Sequence, residues 1–284
     1  MQKSKYIHLV WLVLLLLTAC GEDDSSSADE VQAVRFAVVE DSWQDSPVMM
    51  TRAGETMTSL KTYGFGLFST DLRLNNQQAT WNSTNLAWNV GAKLLWPSNT
   101  VPAIGSLDIR AYAPYNYSDI AITMTDNKIT FAPAVANTTD LLWADRAIDA
   151  GGTVTLNFKH ALAKLSFGTI TNNYGRSITL TNVTATGSLY TTGDLLLDDG
   201  TWTTSSTETR NYSSSPSQDI ANGATADLDL ADILQIPGPT VTVTFTFTST
   251  DFGTDTVSTA VTLEQAKHKT LNLTIGLNHE VVVE

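Results

Sequence analysis

The 284-residue sequence predicts an all-β protein built from β-sandwiches, with no more than a helical turn or two per lobe. Three observations carry that prediction. Threonine occurs 42 times, and a β-branched side chain is stiff about χ1, which suits a pleated strand better than a helix. Thr240–Thr248 alternates without a break, with Val241, Val243, Phe245 and Phe247 on one face and threonines on the other. Such a period-two run marks a half-buried strand. Between weaker copies of the pattern lie turn signals: Asp126-Asn127, Gly151-Gly152, Asn172-Asn173, Asp198-Asp199-Gly200 and Pro237-Gly238-Pro239. Short strands at that spacing form sandwiches.

Composition narrows the function. Hydrophobic residues make up 42% and charged residues 16%, so a core can be buried and wholesale disorder is excluded. There are 29 acidic against 16 basic residues, a formal charge of −13. Such a chain gains nothing from neutralising phosphates, so nucleic acid is excluded as a partner. A single Cys rules out an intramolecular disulfide and a Cys-rich zinc site.

Residues 1–19 read as a signal peptide. Lys3 and Lys5 precede the apolar run Leu9 to Leu17, about half of the roughly 20 residues a membrane span needs. Leu17-Thr18-Ala19-Cys20 then resembles the lipobox of bacterial lipoproteins, which implies lipidation of Cys20 and an outer-membrane, cell-surface location. Removal of residues 1–19 takes two lysines and no acid, so −13 becomes −15. Residues 20–30, acidic and Ser-rich, read as a flexible tether. The acidic stretch is also similar to the surface-export signal of Bacteroidales lipoproteins. One terminus bearing two or three acyl chains is a stable anchor.

From there the pattern predicts strands at Val31–Val39, Leu107–Ala113, Ile120–Met124, Thr153–Phe158, Ile178–Val183, Val257–Leu263 and Leu271–Ile275. Asp140–Ile148 is the best helical candidate, and the Ser/Thr-rich Thr203–Ser217 reads as a long loop. Gly151-Gly152 is central in the mature chain and precedes a strong strand. It divides an N-terminal sandwich, 31–151, from a C-terminal one, 152–284, each of ordinary domain size.

Motifs for chemistry are missing. None of His8, His160, His268 and His279 forms His-Glu-x-x-His, and neither Gly-x-Ser-x-Gly nor a phosphate-cradling Gly-rich loop occurs. His160 reads as a strand-end histidine making one hydrogen bond rather than a general base. Asp198-Asp199 and Asp227, Asp229, Asp232 could be a glycosidase pair or a calcium site by residue type, but turns of an acidic protein carry such residues anyway. Trp81, Trp88, Trp96, Tyr115 and Tyr117 read as core before a sugar platform. The expectation is a protein that is not an enzyme and has no metal or cofactor.

Six blocks resemble one family. Leu95-Trp96-Pro97 with Leu107-Asp108-Ile109-Arg110-Ala111-Tyr112-Ala113-Pro114 looks like the Trp-Pro and Ala-Tyr-x-Pro blocks of the fimbrillins, the Mfa-like and FimA-like type V pilins of Bacteroidales. Asp140-Leu141-Leu142-Trp143-Ala144 and Leu156-Asn157-Phe158-Lys159-His160-Ala161-Leu162-Ala163-Lys164-Leu165 resemble further family segments. So do Ile236-Pro237 and Thr270–Gly276, and the likeness spans about Val31 to Gly276. The resemblance implies two tandem transthyretin-like β-sandwich lobes. It implies a fimbrial subunit that supports adhesion and binds other fimbrillin subunits, and a host or bacterial adhesion ligand. It further implies lipoprotein export, proteolytic removal of an N-terminal strand, and replacement of that strand by one from another subunit. Val34, Phe36 and Val38 would be the exchanged face. Arg52, in the loop segment Thr51-Arg52-Ala53-Gly54, is the expected processing position; Arg35 lies inside the strand. Val281 and Val283 would be a C-terminal donor. Only eight residues follow Gly276, which suggests a tip or accessory subunit. The alternative is a monomeric surface lipoprotein holding glycan or a host ligand.

Overall fold

Strand-forming sequence dominates the fold. The computed structural model describes residues 35–43, 60–69, 74–91, 106–118, 120–123, 127–134, 138–149, 153–228, 230–276 and 281–283. Within them the chain runs through β1 (Arg35–Glu40), β2 (Phe65–Ser69), β3 (Asn75–Asn82), β4 (Ala87–Val90), β5 (Ser106–Ala113), β6 (Ile120–Thr123), β7 (Lys128–Phe131), β8 (Leu142–Asp149), β9 (Thr153–His160) and β10 (Ala163–Asn172). It continues through β11 (Ile178–Leu196), β12 (Trp202–Ser214), β13 (Gln218–Ile220), β14 (Thr225–Asp227), β15 (Ile233–Gln235), β16 (Thr240–Ser249), β17 (Gly253–Thr262), β18 (His268–Ile275) and β19 (Val281–Val283). Residues 60–63 are helical. No helix among the described residues is long and apolar enough to cross a membrane.

Three sheets result. The first has the order β1-β9-β8-β5-β2-β3-β4. The second runs β14-β10-β18-β19, with β15 also on β10. The third runs β17-β16-β11-β7-β6, with β12 and β13 also on β11.

Alternation along the strands sorts side chains into three cores. In β5, Ile109, Ala111 and Ala113 face one way and join Phe65, Leu67, Leu142, Val154, Leu156 and Phe158. Tyr112, from the same strand, faces the other way into a middle core with Phe68, Phe131, Trp143, Leu195 and Ile236. The third core lies between the second and third sheets, where Leu165, Leu271 and Leu273 meet Leu180, Val243, Phe245 and Phe247. The alternating run Thr240–Thr248 is therefore a strand with its four apolar side chains fully buried.

Two local expectations fail. Asp140–Ile148 is not helical: β8 occupies Leu142–Asp149 and pairs with β5 from Ala113↔Leu142 to Ser106↔Asp149. The four consecutive buried residues Leu141–Ala144 look helical by pattern, but they are buried because the sheet is covered on both faces. Thr203–Ser217 is not a loop: most of it is β12, paired antiparallel with β11. Its side chains are mostly exposed, so no apolar alternation announces it.

Gly151-Gly152 lies outside the described residues, and the sheets cross that point in both directions. After it, β9 stays in the first sheet on β1 and β8. Before it, β7 joins the third sheet through Gly193↔Phe131 to Leu196↔Lys128.

Candidate functional site: the N-terminal strand and its groove

β1 ends the strand order of the first sheet. It pairs in parallel with β9, from Arg35↔Thr153 through Phe36↔Val154 and Val38↔Leu156 to Glu40↔Phe158. The Asp41 N–H donates to the Phe158 carbonyl at 2.8 Å and extends the ladder by one rung. Phe36 is only 8% exposed and Val38 packs on the same core, whereas Val39 is 48% exposed. Phe36 and Val38 thus share the face of β1 that packs on this core. Val34 lies outside the described residues. On its other side β1 contacts β4, whose Trp88 and Val90 pack on the same core. The strand lies between β9 and β4, with Val154, Leu156 and Phe158 as an apolar wall beside Phe36 and Val38.

Just beyond β1, Trp43 leaves this apolar wall and meets two imidazoles. Its ring stacks on His160 with centroids 3.8 Å apart and an interplanar angle of 17°. It meets His268 edge-on at 6.2 Å and 62°. His160 closes β9, is 2% exposed, and is held by Asp140 Oδ2, 2.8 Å from its Nδ1. His268 opens β18, with its Nε2 2.7 Å from Ser166 Oγ of β10. His160 is therefore the strand-end histidine expected, but Trp43, Asp140 and His268 were not foreseen as its company. A lone Trp in the polar run Asp41-Ser42-Trp43-Gln44-Asp45 was the available signal.

The acidic residues are engaged elsewhere. Asp198 pairs with the buried Arg110 of β5, and Asp232 with Lys164 at 2.7 Å. Asp199 accepts the Thr201 N–H at 2.8 Å, and hydrogen bonds from Thr201 hold its carboxyl below the usual range. A general acid needs the opposite shift. Asp229 lies outside the described residues. Among the described residues no group of three or more His, Cys, Asp or Glu is arranged to hold a metal ion.

Most of the aromatic candidates are packed. Trp88 stands edge-on to Phe65 at 4.7 Å and to Trp81 at 5.2 Å. Tyr115 and Tyr117 pack on the middle core. Trp96 lies outside the described residues, as do Cys20, Arg52 and residues 1–30. β19, which holds Val281 and Val283, pairs antiparallel with β18 of its own chain, from Leu273↔Val283 to Ile275↔Val281.

An all-β sandwich protein with an N-terminal edge strand set in a groove is the class that this geometry defines. The fimbrillin-like family model matches residues 38–284. The chain belongs to the fimbrillin-like family. No curated protein matches it significantly. A solved candidate cell-adhesion protein from Bacteroides ovatus superposes with a TM-score of 0.53 at 19% identity, covering 89% of this chain and 95% of that one. A candidate adhesin from Bacteroides thetaiotaomicron gives 0.48 at 8% identity, over 89% and 95% of the two chains. A fimbrial assembly protein from Parabacteroides distasonis gives 0.35 at 9% identity, over 78% and 89%. The first of these supports the fold; identities this low speak to nothing finer.

Proposed function

We propose that the chain is a fimbrial subunit of the bacterial surface, structural rather than catalytic, assembled by proteolysis-triggered strand exchange and supporting adhesion. The observation that carries this reading is β1 itself: among the described residues it ends the strand order of the first sheet, is paired there with β9, and adds Phe36 and Val38 to the core. Family membership supports it from another direction.

Removal of β1 would uncover the groove and one ladder edge. Reburying three or four apolar side chains there is worth roughly 5–10 kcal/mol at about 1.5–3 kcal/mol each. The backbone rungs add register. Non-covalent exchange can therefore hold a filament. In this proposal Cys20 carries the lipid that brings the precursor to the outer membrane, and cleavage after Arg52 releases β1 and Trp43 together. Val281 and Val283 are the donor candidates, and the subunit takes a tip or accessory position. The lobes 31–151 and 152–284 remain the working division, with β9 lent to the first lobe and β6–β7 to the second.

Soluble protein, residues 21–284, treated with an Arg-specific protease tests this. Intact mass should show a cut after Arg52 and loss of the N-terminal segment. Unboiled gels should show a ladder of multimers. Arg52→Ala should abolish both. A wild-type cut with no ladder, even with partner subunits added, would remove strand exchange from the account.

A further inference from the structure

Given strand exchange as proposed above, we infer that the pocket holding Trp43 is a specificity site, which selects a replacing strand with an aromatic ring five residues beyond its second apolar anchor. The groove has two chemistries. Val154, Leu156 and Phe158 of β9 form an apolar wall beside Phe36 and Val38, which would accept most apolar pairs. Past Glu40 and Asp41 the wall ends, and two imidazoles take over.

An imidazole face is flat and polarisable, and a planar ring covers it where a branched aliphatic side chain leaves gaps. The 3.8 Å, 17° stack of Trp43 on His160 is that kind of contact, and the His268 edge closes a second side. Both imidazoles are fixed from behind, His160 by Asp140 and His268 by Ser166. They come from different sheets, at the end of β9 and the start of β18. The pocket is thus preset by the fold, and Trp43 occupies it from a segment that cleavage after Arg52 would remove. The partner that fits is a strand with apolar residues at two alternate positions followed by a Trp, Tyr or Phe at the Trp43 position. Residues 277–284 carry no Phe, Tyr or Trp, so the pocket favours a strand of a different subunit over that segment.

The test uses the soluble chain, residues 21–284, after cleavage with the Arg-specific protease, and a fluorescent peptide of residues 31–46, followed by anisotropy. Trp43→Ala protein should admit the peptide about tenfold faster than wild type, and Trp43→Phe protein should lie within about threefold of wild type. A peptide with the Trp43→Ala change should be held about tenfold more weakly by the Trp43→Ala protein than the native peptide is, while a Trp43→Phe peptide should bind nearly normally. The phenylalanine variants guard against a folding defect. If the peptides enter and bind alike whatever stands at position 43, the specificity site is overturned and strand exchange survives. If no peptide enters any variant, strand exchange fails and the specificity site fails with it.

Discussion

At Gly200 the backbone has φ +75°, and a Cβ would run into the Trp143 ring. Its N–H donates to the Leu196 carbonyl at 2.9 Å, so the turn after β11 cannot slide away. Gly200→Ala should therefore destabilise by about 2–4 kcal/mol, from left-handed strain and overpacking together; urea midpoints against wild type will show it. Tyr112 gives a pH signature. Its phenol is buried and donates to Asn76 Oδ1 at 2.9 Å, and burial pushes its pKa well above the usual tyrosine range. The folded state thus favours the neutral phenol. That contribution is complete below the unfolded value of about 10 and is lost as pH rises past it. Tyr112→Phe should flatten the alkaline side of the stability curve relative to wild type, measured by thermal melts from pH 8 upward. Residue identity made Gly200 legible as a turn, yet not its Trp143 neighbour. His160 was legible as a strand end, but its stacking on Trp43 was not, because 117 positions separate them and no local pattern encodes a contact at that range.

β1 shows what an element's pattern does and does not reveal. Alternation puts Phe36 and Val38 on one face of the strand, and that face packs on the first core. The parallel pairing with β9 was not legible, since period two fixes a face and leaves the partner open. Phe36→Ala should cost about 3 kcal/mol, because a large ring leaves a core that cannot collapse around the space. Val39→Ala, on the exposed face of the same strand, should stay within about 0.5 kcal/mol. Denaturant titration of both variants separates the faces, and equal losses would contradict the inward–outward assignment. β12 marks the opposite limit. Its exposed threonines and serines hide the strand from any hydrophobic pattern, and the hydroxyls pair instead across the hairpin, Thr191 with Ser206 at 2.6 Å and Thr192 with Ser205 at 3.0 Å. β8 misled for the converse reason: a sheet covered on both faces buries consecutive residues, so alternation disappears where burial is greatest.

The whole molecule is held by its middle core. Phe68, Tyr112 and Trp143 arrive from the first sheet, Ile129, Phe131 and Leu195 from the third, and Ala161 and Leu162 from the link between β9 and β10. Arg110 of β5 pairs with Asp198 at the turn after β11, and the Trp202 indole N–H donates to the Ala161 carbonyl at 2.9 Å. Two sandwiches joined by a bare linker would melt independently, as separate domains do. Here either sandwich loses packing if the other opens. Unfolding should be a single transition, with far-UV dichroism and tryptophan fluorescence tracing the same curve. Leu195→Ala should lower that one midpoint by the equivalent of about 2–5 kcal/mol without splitting it. Two separated transitions in the wild-type protein would mean that the middle core contributes too little to couple the sheets. One transition has a functional corollary under the strand-exchange reading: the groove of β1 stays shaped by a body that cannot loosen piecemeal, so release of one edge strand leaves a template in place for the next.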